Sequence, residues 1–292
     1  KYLLLKQEYN GFIDLYHWCQ NMESLCRSEE ELDLLVRLYN NAGIAFKRMN
    51  QLQDSEEAYL KATEVLKKIR TPDYYLHGSI YANAGNALRI VSEFERSIEY
   101  LKQGIAYFDE YAESKNHLDD FQHIAEPKSK ALNNLGLVYQ CLSDHKQAIQ
   151  TFEKCIELKS KFCPENITEV YGNLVISLIE EDNFHDGKQI NELQEAKHYL
   201  NLILESYRGG LPIDRSWALA KVNQSDVNFR LSGDVNRLIR EIDQINIVIL
   251  NTIPAAKDIT VVANQLIINI LIKQKKYSDA ISKWSETMKS LS

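Results

Sequence analysis

Residues 134–157 read NLGLVYQCLSDHKQAIQTFEKCIE, and this stretch decides the fold class. Apolar residues recur at spacings of three and four in two segments around the polar turn, at Leu132, Leu135, Tyr139 and Leu142 and then at Ile149, Phe152 and Ile156. This spacing is typical of amphipathic helices that each bury one face. The stretch therefore predicts a hairpin of two packed helices.

A small residue is needed where the two helices of such a hairpin cross, because a large side chain would push the backbones apart. Gly136 holds this position, which we call the anchor, and Ala148 faces it. The same pattern places anchors at Gly43 with Ser55 and at Gly85 with Ser97, and in more divergent copies at Val175, Asp226 and Ile268. The chain is therefore interpreted as six helix pairs.

Five prolines fall between the copies, at Pro72, Pro127, Pro164, Pro212 and Pro254. Because proline disfavours a helix interior, each predicts a boundary between pairs. We predict an N-terminal capping helix or half repeat at residues 1–28 and pairs at residues 29–71, 72–116, 127–163, 164–208, 212–252 and 254–292. Insertions are predicted at residues 112–126 and 186–194, with a helix restarting at Glu195.

The first 26 residues predict a helix with apolar residues on most faces: Tyr9, Phe12, Ile13, Tyr16, Trp18, Cys19, Met22 and Leu25. Such a helix must be covered. Either it caps the array, or it is the second helix of an incomplete repeat. An exposed end of this kind would favour self-association.

Composition excludes several classes of function. With 292 residues and 45% hydrophobic content, the chain can bury a large core, whereas its net charge of −7 opposes nucleic-acid binding. No apolar run is long enough to predict a membrane span. Five cysteines without a Cys-x-x-Cys pair, four of them among apolar helical neighbours, predict packed thiols in a reducing, cytoplasmic compartment.

Catalytic and cofactor motifs are not found in the sequence. Its seven histidines are scattered, without the spacing of a metal site, and the glycines form neither a phosphate loop nor a dinucleotide fingerprint. We therefore predict no enzymatic activity, no metal and no cofactor.

The order of small and large residues in residues 134–157 resembles the tetratricopeptide repeat family, although the anchors are spaced more widely than the about 34 residues of its commonest repeat. The resemblance is also specific around Gly43 and Gly85. It implies an all-α fold, a right-handed α-solenoid of about six antiparallel helix pairs. It further implies a concave groove that binds a peptide or protein segment without catalysis.

An asparagine stands two residues before the anchor in four successive copies, at Asn41, Asn83, Asn134 and Asn173. Chance and helix propensity explain this column poorly, since asparagine is a mediocre helix former. The resemblance implies that these amides line the groove and bond the backbone of a peptide, for which an amide offers both a donor and an acceptor. The alternative is that they bond neighbouring helices and fix the stacking of repeats.

Further polar residues share the face of these asparagines at helical spacing: Arg37, Asn40, Asn86, Arg89, Lys130, Asn133 and Gln140. This face turns acidic at Glu169 and Glu180 and apolar at Val262 and Leu266. A basic half-groove would favour an acidic peptide or a terminal carboxylate. The alternative for each residue is an ordinary solvated surface.

Two functional classes remain open. The chain is either an independent binding module for a peptide or protein partner, or the regulatory or sensor region of a larger protein, such as a bacterial peptide-pheromone receptor or a repeat region linked to a caspase-like protease. The open ends at Lys1 and Ser292 are compatible with the second class.

Overall fold

The structure is a computed structural model that describes residues 11, 13–14, 16–18, 20, 25–26, 28–114, 118–184, 190–210 and 212–291. Residues 28–114, 118–184, 190–210 and 212–291 form twelve α-helices, joined by turns and one 3₁₀ segment, and no β-strand. The described residues between 11 and 20 are helical as well. The chain divides into two compact units, Lys1–Ile167 and Thr168–Ser292.

Unit 1 contains α1 (Glu29–Arg48), α2 (Leu52–Leu66), α3 (Tyr74–Ile90), α4 (Phe94–Ser114), α5 (Leu118–Cys141) and α6 (His145–Phe162). Unit 2 contains α7 (Ile167–Phe184), α8 (Ile190–Arg208), α9 (Arg215–Ser232), α10 (Val235–Thr252), α11 (Lys257–Lys273) and α12 (Tyr277–Leu291). A 3₁₀ turn at Pro254–Ala256 precedes α11. Odd-numbered helices are the first members of the pairs, and even-numbered helices are the second.

Side-chain caps explain where several helices begin. Ser28 and Glu31 form a capping box at α1, in which each side chain accepts a hydrogen bond from the other residue's backbone N–H, at 3.2 and 3.0 Å. Aspartates cap four further helices by accepting from a backbone N–H in the first turn: Asp73, Asp144, Asp214 and Asp234. Such caps satisfy backbone donors that the helix itself leaves unpaired.

The turn inside the pairs repeats one backbone conformation. Five residues with positive φ each stand seven positions after an anchor: Asn50, Ser92, Ser143, Gly233 and Lys275. A left-handed residue at this place ends the first helix and reverses the chain. The divergent anchors Asp226 and Ile268 thus occupy the same place in their turns as the glycine anchors, whereas α7 continues as helix past the equivalent residue, Asp182.

We expect Ser143→Gly to raise the free energy of unfolding by about 0.5–1 kcal/mol, because glycine adopts the φ of 57° at this turn without a steric cost. Asn50→Gly should gain less, since asparagine tolerates this conformation better than serine does. Urea denaturation followed by circular dichroism measures both. Equal gains at the two sites would contradict the conformational explanation.

One predicted boundary is wrong. Pro127 does not separate two pairs but lies inside α5, which already begins at Leu118. Residues 118–126, predicted to belong to an insertion, are therefore helical, and the third pair begins before residue 127. Ile124 and Ala125 are at most 2% exposed, so burial of this extra segment offsets the cost of about 3 kcal/mol for an interior proline.

The anchor glycines allow close helix crossings in unit 1. The hydroxyl groups of Ser55 and Ser97 donate to the carbonyl oxygens of Gly43 and Gly85, at 2.8 and 2.7 Å. A Cβ added to an anchor would lie 2.8 Å or less from a large side chain of the second helix: Tyr59 at Gly43, Leu101 at Gly85 and Phe152 at Gly136. The predicted partners Ser55, Ser97 and Ala148 stand one helical turn before these side chains.

The predicted second insertion lies partly outside the described residues, because residues 185–189 are not among them. The second helix of this pair begins at Ile190 rather than at Glu195. Tyr171 of α7 packs against Tyr199 of α8, with ring centroids 5.1 Å apart. The two helices of the fourth pair, α7 and α8, therefore contact each other within unit 2.

The N-terminal segment is covered at three described positions, because Tyr16 is part of the apolar core around α1, α2 and α3, and Ile13 and Cys26 pack against that core. Tyr16 is 3% exposed, and its ring contacts those of Tyr39 and Phe46 at centroid distances of 5.6 and 5.4 Å. Trp18 and Leu25 are more than half exposed, so the expected cover does not reach them. Tyr9, Phe12, Cys19 and Met22 lie outside the described residues, and self-association through this segment stays a prediction.

The cysteines differ from one another in environment. Cys155 is fully buried and donates to the carbonyl oxygen of Ser129 at 3.2 Å, and burial raises the pKa of its thiol to about 12. Cys163 is buried as well, whereas Cys141 is exposed, so the expectation of packed thiols is wrong there. Cys141, Cys155 and Cys163 form no disulfide bond with a described residue. A reducing, cytoplasmic location stays a prediction.

Candidate functional site

The first helices of unit 1 carry a cluster of amide side chains. We call it the amide surface, formed by Asn40, Asn41, Asn83, Asn86, Asn133 and Asn134 on α1, α3 and α5. Asn41 is exposed and the others are half-buried. Asn173, the fourth asparagine of the column, is half-buried on α7 in unit 2.

One hydrogen bond of the amide surface joins two helix pairs. Asn83 Nδ2 on α3 donates to Asn40 Oδ1 on α1 at 2.8 Å. This contact matches the stacking role that the sequence left open for the asparagines. It still leaves Asn83 with a free carbonyl oxygen and a second N–H, since an amide offers two donors and one acceptor oxygen.

Asn41 and Asn134 differ from Asn83, because within the described part of the chain neither side chain has a hydrogen-bond partner. An amide in a helix without a partner contributes little to stability, since asparagine is a poor helix former. These two side chains are therefore available to a ligand.

The basic residues predicted beside the asparagines are of two kinds. Arg37 donates to Asp33 Oδ2 at 2.8 Å, and this bond raises the pKa of its guanidinium. Lys130 similarly lies 3.0 Å from a carboxylate oxygen of Glu126. Each cation thus has an acid one turn earlier on its own helix, which reduces its attraction for an anionic ligand.

Arg89 lacks such an acid. Its Nη2 donates to Asn86 Oδ1 at 3.1 Å, while its Nε is buried without a hydrogen-bond partner among the described residues. Burial lowers the pKa of the guanidinium. A buried polar atom without a hydrogen-bond partner is unfavourable, and Nε of Arg89 is such an atom.

Lys47 is a second cation, at the position of α1 that is equivalent to Arg89 on α3. It is not among the residues predicted from the sequence. Partial burial and repulsion from Arg89 and Arg48 lower the pKa of its ammonium group. Lys47 has no ion pair within the described residues. It stands four residues after Gly43, as Arg89 stands four residues after Gly85, so the repeat alignment contained the signal.

Lys47 and Arg89 therefore form a site of positive charge at the end of the amide surface. They lie on α1 and α3, the two helices that the Asn40–Asn83 bond connects. Because repulsion between two nearby cations is relieved by a carboxylate between them, the pair favours an anionic group. Amides and cations together offer hydrogen-bond donors, hydrogen-bond acceptors and positive charge on α1 and α3.

Unit 2 differs in charge at the corresponding helix faces. Glu169 and Glu180 are exposed on α7, and Val262 on α11 is 57% exposed. The faces at these positions of unit 2 are therefore acidic or apolar rather than basic. No group of three or more histidine, cysteine or acidic side chains in the described parts of either unit could hold a metal ion. None of the described helices is long and apolar enough to span a membrane.

Comparisons with known proteins agree with this geometry. Family models described as tetratricopeptide repeat match residues 129–162 and residues 36–65. The first range covers the second half of α5 and all of α6, and the second covers most of α1 and α2. The chain therefore contains tetratricopeptide repeats at these two ranges. No subfamily follows from these matches.

Solved structures share the fold of this chain. The apo form of RapI superimposes with a TM-score of 0.62 at 14% identity, over 91% of this chain and 71% of RapI. BtubC (BKLC) from P. vanneervenii gives a TM-score of 0.58 at 12% identity, over 82% of this chain and 89% of the other. At such identities the likeness concerns the fold alone, and it confirms the predicted all-α solenoid class.

A curated relative has a more similar sequence. Outer dynein arm-docking complex subunit 4 of Xenopus laevis is 27% identical over 163 residues, which cover 52% of this chain. The match covers 28% of that relative's length. The tetratricopeptide repeats, with this relative, support a protein-interaction module.

Proposed function

We propose that the amide surface of unit 1 binds an extended peptide segment of a partner protein and that Lys47 and Arg89 bind an acidic group of that segment. The observation that carries this proposal is the pair of cations without acidic partners beside amides that also lack partners. Ion pairs inside the protein neutralise Arg37 and Lys130. The relative's name, a docking-complex subunit, agrees with a role in assembling proteins.

The two kinds of side chain have different roles in this proposal. Asn41 and Asn134 bond the peptide backbone, whose groups are the same in every sequence. Lys47 and Arg89 add selectivity, because charge-assisted bonds are stronger than neutral ones and require a carboxylate. The binding reaction is non-catalytic, and the ligand is held outside the helical core. Asn173 belongs to unit 2 and has no part in the proposed site.

The proposal predicts a binding loss without a stability loss when the cations are removed. We expect Lys47→Met with Arg89→Met to weaken binding of a labelled (Gly-Glu)₄ peptide about tenfold or more, because two charge-assisted bonds are lost. The free energy of unfolding should stay equal or rise, since methionine needs no polar partner. Fluorescence anisotropy measures binding, and urea denaturation measures stability.

Controls separate this site from general electrostatic attraction. Lys67→Met with Arg208→Met removes the same charges at exposed positions elsewhere and should leave the affinity nearly unchanged. A (Gly-Gln)₄ peptide tests the acidic groups, and amidation of the peptide's C-terminus separates a terminal carboxylate from acidic side chains. Equal affinity of both double variants for the acidic peptide would contradict the proposal. Asn41→Ala with Asn134→Ala should weaken the acidic and neutral peptides alike.

A further inference from the structure

A second surface of unit 1 lies on a different side of α5 from the amide surface. It is a groove of about 520 Å³ with α4 and α6 as its walls and α5 as its floor. Leu132, Leu135 and Tyr139 of α5 form the floor. At 3.6 residues per turn these positions lie about 100° or more around the helix from Asn134, so a ligand on one surface does not touch the other.

The walls of the groove combine apolar and basic side chains. Ile105 of α4 and Leu158 and Phe162 of α6 are partly exposed toward it. Four lysines line it as well, against two acids, and these six are Lys102, Lys128, Lys154, Lys161, Asp109 and Glu157. This excess of positive charge stands out in a chain with a net charge of −7.

Three of the four lysines have no acidic partner within the described residues. Lys128 is bonded to Asp109. In contrast, the ammonium group of Lys102 lies 5.9 Å from the ring centroid of Tyr139, and that of Lys161 lies 5.1 Å from that of Phe162. Lys154 has no ion pair. Aromatic rings thus hold two of the ammonium groups near the groove without neutralising their charge.

We infer that this groove binds an acidic amphipathic segment of a partner protein. Apolar side chains of the segment would cover the floor at Leu135 and Tyr139, while its carboxylates would reach the unpaired lysines at the rim. Charge complementarity favours this occupant, and the recessed apolar floor requires more than negative charge. The site is separate from the proposed peptide site, so the protein would hold two partner segments on different faces of unit 1.

The test uses a labelled amphipathic peptide of about 14 residues, four helical turns, with leucines along one face and glutamates on the others. We expect saturable binding to the wild-type chain. Substitution of the three unpaired lysines by serine, Lys102→Ser, Lys154→Ser and Lys161→Ser, should weaken it about tenfold or more. A control variant replaces three exposed lysines outside the groove, Lys67→Ser, Lys68→Ser and Lys146→Ser, and should bind like the wild type.

Two further experiments test which features of the peptide are required and at which site it binds. A scrambled peptide of the same composition, without the leucine stripe, should bind at least about tenfold more weakly than the amphipathic peptide. Binding of (Gly-Glu)₄ should not change in the groove variant, which separates this inference from the proposed amide site. No saturable binding by the wild type, equal loss in both lysine variants, or equal affinity for the scrambled peptide would overturn the inference. Circular dichroism confirms that each variant is folded.

Discussion

Gly104→Ala is expected to lower the free energy of unfolding by about 1–2 kcal/mol, although alanine is the better helix former. A Cβ at Gly104 on α4 would lie 2.9 Å from the backbone nitrogen of Ala82 and 3.0 Å from the carbonyl oxygen of Gly78 on α3. Backbone atoms cannot rotate away as a side-chain end can, so α3 and α4 would have to separate. Overpacking of this kind costs about 1–3 kcal/mol, occasionally more, and exceeds the helix gain of about 1 kcal/mol.

Gly172→Ala is the matched control for this prediction. Gly172 also lies within a helix, α7, but an added Cβ there meets nothing within 4 Å. The substitution should therefore stabilise the chain by about 0.5–1 kcal/mol through helix propensity alone. Urea denaturation of both variants, followed by circular dichroism, measures the difference. A Gly104→Ala variant as stable as the wild type would show that the α3–α4 crossing tolerates a methyl group.

The helix pairs were predictable because their signals are local. Apolar spacing and a small residue at the crossing recur within each hairpin, and Gly43, Gly85 and Gly136 show both. The anchors of the divergent copies, Asp226 and Ile268, were also located correctly from their spacing along the chain. The left-handed turn residues Gly233 and Lys275 stand where the clearest copies have theirs.

Features that depend on contacts between distant residues were not predictable from one sequence. Gly104 and Gly78 approach each other across α3 and α4, and neither belongs to the anchor pattern. Pro127 signals a helix break locally, but the buried residues Ile124 and Ala125 extend α5 through it. Burial against a neighbouring helix outweighed the local preference in this case.

The candidate site was partly predictable. The asparagine column and Arg89 follow from the repeat alignment, and Lys47 could have been found from its matching position after Gly43. The sequence also contained the acids that neutralise Arg37 and Lys130, since Asp33 and Glu126 each stand four residues earlier. The Asn40–Asn83 bond required the structure, because it depends on how two helix pairs pack.

Arg230→Met is expected to destabilise unit 2 by about 3–5 kcal/mol at neutral pH. Arg230 on α9 lies between two acids: its Nη1 is 3.2 Å from Asp182 Oδ2, and its Nε donates to Asp226 Oδ2 at 2.9 Å. The Asp182 side chain is fully buried. Removing the shared cation leaves two carboxylates close together in a poorly hydrated place, and breaking a buried ion pair in this way is strongly destabilising.

The pH dependence of this loss distinguishes charge from packing. Burial raises the pKa of Asp226 even though Arg230 opposes the change. A carboxyl group whose pKa is higher in the folded than in the unfolded state destabilises the fold when ionised, and this cost disappears as the pH falls through the raised value. Without Arg230, which lowers it, the pKa of Asp226 rises further. The deficit of Arg230→Met relative to the wild type should therefore shrink as the pH is lowered from 7.5 towards 5.

Urea denaturation measures this deficit at each pH, followed by tryptophan fluorescence in a Trp18→Phe background, where Trp217 and Trp284 of unit 2 are the remaining tryptophans. Arg237→Met is the matched control, because Arg237 on α10 pairs with Glu241 at 2.7 Å but is half exposed, so its loss should change stability little at any pH. A deficit of Arg230→Met that stays constant with pH would assign the role of this arginine to packing. A deficit that shrinks as the pH falls, with no change for Arg237→Met, would show that the charges of Asp182, Arg230 and Asp226 connect the fourth and fifth helix pairs of the chain. Both pairs belong to unit 2.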